Sequence, residues 1–264
     1  MEPNAQAYTA CTVLYGDNTL YAVRCVSSLL KLRLLGAQLR IGLNEACGAT
    51  RSYLSGLIRA EQLTPEEIYD SGRNAHKYPL MRYMFDGDHP IDTPFVIWAD
   101  DDSFVRQAGP LIRHLNSLFK MEHVGLLGRE YLYRQLRPEQ IAWIRAQPWY
   151  NGRDLARPKI RFMPGAFWAA RMDIVRRLGF PWKELDHCGG DIAFSIAVGE
   201  LCAAVIGINR DLVGFNASLE APEKESSASR RGTSQRPLGL YPDHVDPQPV
   251  TSIIPFRDHE SHTL

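Results

Sequence analysis

The stretch from Thr93 to Val105, TPFVIWADDDSFV, constrains this chain more than any other. Phe95, Val96, Ile97 and Trp98 form a short apolar run with the signature of a buried strand. The run ends in three consecutive carboxylates, Asp100, Asp101 and Asp102. Asp disfavours strands and favours turns, so the chain leaves the strand here and sets an acidic cluster at its C-terminal end. In open α/β sheets that edge is where ligands bind. Adjacent carboxylates repel and raise one another's pKa unless a cation neutralises them. Oxygen-only ligands suit a hard divalent ion, Mg²⁺ or Mn²⁺, which commonly also holds substrate phosphates. The plainer reading of the same residues is a solvated acidic turn or a helix cap.

The flanking sequence alternates between strand and helix patterns. Tyr8 to Tyr15 is β-prone and ends at Gly16-Asp17-Asn18. Leu20, Val23, Val26, Leu30 and Leu34 then recur at helical spacing, with Asn18 placed to cap the helix and Gly36 to stop it. Leu39 to Leu43 reads as a second strand, and Tyr53, Leu54, Leu57 and Ile58 mark an amphipathic helix. This order predicts a parallel sheet with helices on both faces. Thr64 to Glu67 fits a capping box, and Ile68 to Asp70 fits a short strand. Ser71 to Pro79 reads as a polar loop leading to a helix over Met81 to Phe85. Ser103 to Val105 is expected to return toward the sheet, and Pro110 to Met121 is an amphipathic helix. Val124 to Leu127, residues 138 to 146, Asp173 to Leu178 and Ile192 to Leu201 complete the series.

At 264 residues the chain can bury a sizeable core. Lys plus Arg and Asp plus Glu both total 30, so no overall basic bias holds it to nucleic acid. Five cysteines, Cys11, Cys25, Cys47, Cys188 and Cys202, show no CxxC spacing and read as free thiols in a reducing compartment. No apolar run approaches the roughly 18 residues of a membrane span. MEPNAQAY lacks a basic-then-apolar leader, so the expected location is cytoplasmic. No Gly-rich phosphate loop follows the first strand.

A buried strand ending in Asp-x-Asp near mid-chain resembles the metal motif of the GT-A-fold nucleotide-sugar glycosyltransferases. The resemblance spans roughly residues 8 to 215, in motif order. It implies a single α/β domain over 1–215 with a mostly parallel central sheet flanked by helices. It leaves 216–264 as a flexible basic loop and a tail packing on the same domain. The implied reaction is metal-dependent transfer of a sugar from a nucleotide-diphosphate donor to a hydroxyl on a glycan, a small molecule or a modified DNA base. Mn²⁺ or Mg²⁺ is the implied cofactor. Asp102 would bind the metal, Asp100 the metal or the donor, and Asp101 could share either role. Tyr15 and Asp17 resemble base- and ribose-contacting positions, and Arg73, Asn74 and Lys77 resemble a loop lining the donor diphosphate. Gly165 and Trp168, in FMPGAFWAA, resemble the floor under the donor sugar. His187-Cys188-Gly189-Gly190-Asp191 looks like the block that carries the catalytic base in inverting members, with Asp191 as base and Asp186 or His187 as second choices. His244, after the Arg-rich stretch 220–237, resembles a third metal ligand. That stretch would serve as a lid or grip an anionic acceptor. The aromatic segment 131–150 is assigned to the acceptor side by position.

Ordinary roles compete for each: loop residues for Tyr15 and Asp17, a solvated basic loop for Arg73 and Lys77, a helix cap for Asp191 and a surface histidine for His244. Two other functions compete with the whole. A nucleotidyltransferase would favour a Gly-rich loop with a Lys near the first strand, which is missing here. A non-catalytic nucleotide-binding module would bind without turnover.

Overall fold

A computed structural model describes residues 4–215 apart from 130, 134, 135, 137, 156–159, 164, 187, 188, 202 and 203. The sheet is built on β1 (Tyr8–Tyr15), which pairs in parallel with β2 (Gln38–Asn44) on one side and with β4 (Phe95–Ala99) on the other. β2 carries the short β3 (Ile68–Asp70), also parallel. Beyond β4 the pattern breaks. β9 (Phe167–Arg171) runs antiparallel between β4 and β6 (Val124–Gly128), and β10 (Ala204–Gly207) closes the far edge parallel to β6. The seven strands thus lie in the order β10-β6-β9-β4-β1-β2-β3.

Strand periodicity sorts the side chains between two faces. Tyr8, Ala10 and Leu14 of β1 and Ile97 and Ala99 of β4 join a mainly aliphatic core with α1 (Thr19–Arg33), α2 (Gly48–Arg59) and α4 (Ala108–Phe119). Cys11, Val13, Val96 and Trp98 face a second, aromatic core with α3 (Lys77–Asp86), α6 (Met172–Leu178) and α7 (Gly190–Glu200). β9 obeys the same alternation, sending Phe167 and Ala169 one way and Trp168 and Ala170 the other. α7 is buried nearly all round, because a satellite cluster of Leu136, Ile144 and Leu155 packs on Ile192 and Ile196. Among the described residues, no helix is long and apolar enough to cross a membrane.

Several local expectations change. The capping box at Thr64 and the strand at Ile68 both form, in succession. α3 starts at Lys77 and not at Met81. Pro79 falls in its first turn, where a missing N–H leaves no helical bond unmade. Ser103–Val105 (β5) does not rejoin the main sheet but pairs with β11 (Val213–Phe215) in a ribbon of its own. β7 (Tyr131–Tyr133) and β8 (Ile160–Phe162) form a second ribbon, and α5 (Pro138–Arg145) lies between them in sequence. β9 itself, inside FMPGAFWAA, was expected as a small-residue floor. Its alanines suit a strand buried on both faces between two neighbours.

Candidate active site

The three aspartates at the end of β4 point to three different partners. Asp100 accepts from the Trp98 indole N–H at 2.8 Å, and its backbone N–H donates to the Ala166 carbonyl at 3.0 Å. Asp101 accepts the backbone N–H of Tyr15 at 3.4 Å, which ties the ends of β4 and β1 together. Asp102 accepts from the Ser103 hydroxyl at 3.3 Å. Among the described residues, no group of three or more His, Cys, Asp or Glu side chains is disposed to hold one metal ion. Burial pushes the Asp101 carboxyl up to about 8, with the charges of Asp102 and Asp100 adding to it. Burial and the charge of Asp100 push Asp102 up to about 6.

The cation that does meet this cluster is Lys77. Its ammonium lies 2.9 Å from Asp100 Oδ1 and 3.8 Å from Asp191 Oδ2, and the side chain is only 7 % exposed. It also sits 5.4 Å from the Trp98 ring and 5.6 Å from the Tyr78 ring. Removing an ammonium from water costs several kcal/mol unless partners replace the water. Burial alone would pull the Lys77 pKa down; the charges of Asp100 and Asp191 outweigh it, and the net direction is up. Burial in turn pushes Asp191 above the usual carboxylate range. Lys77 pulls it back, and the Tyr78 hydroxyl and Gly165 N–H beside the carboxylate favour its ionised form.

Two glycines make this arrangement possible. A methyl group on Gly165 would come within 2.0 Å of Lys77 Nζ, 2.7 Å of Asp191 Oδ2 and 3.0 Å of Asp100 Oδ2. Only a residue without Cβ allows the backbone to lie over all three charged groups. Gly189, at φ 85°, takes the left-handed turn that starts α7 and brings Asp191 to its first turn, where the helix dipole favours a negative charge.

The structure therefore gathers Tyr15, Lys77, Asp100, Asp101, Gly165 and Asp191 at one corner of the sheet. Tyr15 confirms that crowding: burial raises its phenol well above the ordinary value, and Asp100, Asp101, Asp186 and Asp191 all push the same way. Asp186 is buried, 3.7 Å from His76 Nε2, with its backbone carbonyl accepting from Tyr78 N–H. Asp17 lies exposed in the turn after β1. Arg73 is exposed. Asn74 is partly exposed, and its Oδ1 accepts from Asn44 Nδ2 at 2.8 Å and from His76 N–H at 3.2 Å, stapling the loop to β2. Lys77 is likewise committed inside the cluster and not extended toward a phosphate. Trp168 is corrected outright. It is fully buried, stacked on Trp98 at 6.1 Å and packed on Phe180 and Phe194, so its ring is no platform for a ligand. His187 and His244 lie outside the described residues.

Trp98, Tyr78 and His76 were missed. His76 takes φ 65° just before Lys77, a conformation uncommon for a non-glycine residue. No motif flags these three; their only signal is adjacency to Lys77 and to the aspartates.

The sheet order, with one antiparallel strand beside the acidic turn, is that of a GT-A-like α/β fold. Solved structures agree. The mannosyltransferase PcManGT from Pyrobaculum calidifontis, in complex with GDP-Man and Mn²⁺, aligns at TM-score 0.54 and 12% identity over 79% of this chain and 57% of its own. TarS of S. aureus, residues 1-349 in complex with UDP, aligns at 0.52 and 12% identity over 77% and 58%. At these identities the likeness is one of fold, and the chain spans under three-fifths of either protein. No protein-family model matches the chain, and no curated protein does.

Proposed function

We propose that this protein is a glycosyltransferase that moves a sugar from a nucleotide-diphosphate donor to an acceptor hydroxyl. The observation that carries the reading is the cluster that buried Lys77 forms with the partly exposed Asp100 and Asp191 beneath Gly165, at the C-terminal edge of β4. A structural scaffold gains little from burying an ammonium between two carboxylates, whereas clefts that do chemistry commonly contain such groups. The fold likeness to enzymes crystallised with GDP-Man and with UDP supports the same reading.

Asp191 is the general base. It takes the acceptor hydroxyl proton as the acceptor oxygen bonds to the anomeric carbon, and the electrons of the breaking sugar–oxygen bond pass to the departing nucleoside diphosphate. Lys77 keeps Asp191 ionised and fixes its direction. Gly165 lets the backbone close over the reacting groups. Tyr15 and Asp17, at the end of β1, contact the nucleotide.

Asp102 and Asp100 offer the hard oxygens that Mg²⁺ or Mn²⁺ prefers. Such ions are commonly held by one or two carboxylates plus substrate phosphates, so this donor set fits an ion that is completed by the diphosphate. Burial first, and the neighbouring aspartates second, raise the Asp101 and Asp102 carboxyls, and a cation bound there would favour their ionised forms. When bound, such an ion offsets negative charge building on the leaving diphosphate.

The test is a thermal-shift panel of nucleotide sugars with and without Mn²⁺. At least one donor should stabilise the protein by several degrees with metal and much less without it. Asp102→Asn should abolish the metal-dependent part. Stabilisation by no nucleotide at all would remove the reading.

A further inference from the structure

The opposite face of the sheet carries a second concentration of charge, of the other sign. A cleft of about 570 Å³ opens between α1 and β5, lined by Arg24, Ser27, Ser28, Lys31, Phe104, Val105, Arg106 and Gln107. Among the described residues, three cations line it and no carboxylate does. Among the described residues, neither Lys31 nor Arg106 forms an ion pair with an acidic side chain.

Phe104 organises two of the three cations. The Arg24 guanidinium lies 3.7 Å from the ring centroid and that of Arg106 lies 5.6 Å from it. A cation held on an aromatic face has already lost much of its rotamer freedom, so it binds an anion at lower entropic cost. Arg24 and Lys31 are seven residues apart on α1, which places them on one helix face roughly 10 Å apart along the axis. Gln107 is the N-cap of α4, and that helix has no acidic residue in its first turn. Its partial positive charge therefore adds to the same field. Lys31 and Arg106 are exposed, so both can turn toward an anion that enters the cleft.

The geometry points to a second ligand site here, for a phosphate-class anion carrying at least two negative charges. Guanidinium groups match phosphate oxygens in fork geometry, and an ammonium serves as a point charge beside them. The volume exceeds that of one phosphate, so the site takes a diphosphate or consecutive phosphates of a longer ligand. The cleft shares no residue with the Lys77 cluster, and the inference stands whether or not the protein transfers sugars. β5 begins one residue after Asp102, so the two sites are joined by a single turn of chain.

The test uses the full chain in a chelator-containing, metal-free buffer, with inorganic pyrophosphate as the probe in calorimetric titration. Without metal the acidic corner repels pyrophosphate, and the basic cleft binds it. Saturable binding is expected. The Lys31→Gln/Arg106→Gln pair should weaken it by about tenfold or more, the worth of one charge-assisted hydrogen bond. Both side chains are exposed, so folding is retained, to be checked by an unchanged melting temperature. Asp102→Asn should leave pyrophosphate binding intact. A parallel titration with linear polyphosphate separates the two sources of the anion: tighter binding by the chain indicates a polymer, and equal binding a small ligand. No saturable binding at millimolar pyrophosphate would overturn the assignment. So would binding that survives the double variant, or binding lost in Asp102→Asn.

Discussion

The two faces of the central sheet are built from the same strands but differ in material. One side, under α1, α2 and α4, is packed with Leu, Ile, Val and Ala. The other, under α3, α6 and α7, holds Trp98, Trp168, Tyr78, Phe180, Trp182 and Phe194. The Lys77 cluster lies on the aromatic side. Trp98 both stacks in that core and donates to Asp100, and the Tyr78 ring flanks Lys77. Aliphatic side chains can only exclude water. Indoles and phenols exclude water while offering an N–H, an O–H or a π face to a buried ion.

The largest expected effect separates chemistry from stability on the aromatic side. Asp191→Asn should lower sugar transfer by about 10²–10⁴-fold, the range for loss of a general base, with donor binding kept. Normal turnover in that variant would dismiss the base assignment. Lys77→Met should act through pH. With the ammonium gone, Asp191 titrates still higher, and the acidic limb of the pH–rate profile moves up. An unmoved limb would show that Lys77 does not act on Asp191.

Next come paired truncations across the sheet. Trp168→Ala should cost about 3–5 kcal/mol and Leu29→Ala about 2–5 kcal/mol in denaturant unfolding. The two differ in a second readout. Trp168→Ala loosens Trp98, the donor to Asp100, and should weaken the response to Mn²⁺ and nucleotide; Leu29→Ala should leave that response intact. Equal effects on ligand response would erase the distinction between the faces.

A smaller effect is expected from pH on the metal-free protein. The carboxyls of Asp102 and Asp101 are raised to about 6 and about 8. The folded state therefore holds more protons than the unfolded state from about pH 4 to pH 8. Their contribution is fully present below the ordinary carboxylate pKa and is lost as pH rises through 6 and 8. Melting temperature should carry a falling component between pH 5 and pH 8, and Mn²⁺ should raise it more at pH 8 than at pH 5. A metal shift independent of pH would count against Asp101 and Asp102 as the responsive groups.

The smallest effect concerns thiols. Cys47 opens α2, where hydroxyls of Thr19 and Thr50 and backbone N–H groups of Ala49 and Thr50 outweigh its burial and bring it down to about 7. Burial pushes Cys11 up to about 12 and Cys25 higher still. Of these three, iodoacetamide at neutral pH should label Cys47 first; mass spectrometry after brief exposure checks this.

Much of the aliphatic half was legible in the sequence, because periodicity reports burial directly. Leu111, Ile112 and Leu115 recur at helical spacing and are buried, and β1 and β4 are apolar runs bounded by turn residues. In α1 the periodic set Leu20, Val23, Val26, Leu30 and Leu34 located the helix but not its inner face: Leu20 and Leu34 are 82% and 86% exposed, and the buried residues are Cys25, Val26, Leu29 and Leu32. The aromatic half was harder. Trp168 read as a ligand platform because an indole suits a sugar face as well as a core, and only its neighbours decide. β9 hid because Ala169 and Ala170 have low strand propensity and gain their place from β4 and β6. The start of α3 was obscured by Pro79, which disfavours helix for the residue before it yet is tolerated in a first turn. The acidic turn and Asp191 were both visible as candidates. The ion pair was not, since Lys77, Asp100, Gly165 and Asp191 come from four separate elements and meet only through sheet order.

That order has a consequence for synthesis. Strands β4 and β6 are both complete before β9 leaves the ribosome, yet β9 must slot between them. A nascent chain that ends before residue 167 leaves one edge of β4 and both edges of β6 unpaired and the Trp98 indole without its stacking partner Trp168, the kind of surface that pairs with other chains. The late strand acts as a keystone, and the interval before it arrives is when this protein is most exposed to aggregation and most dependent on chaperones.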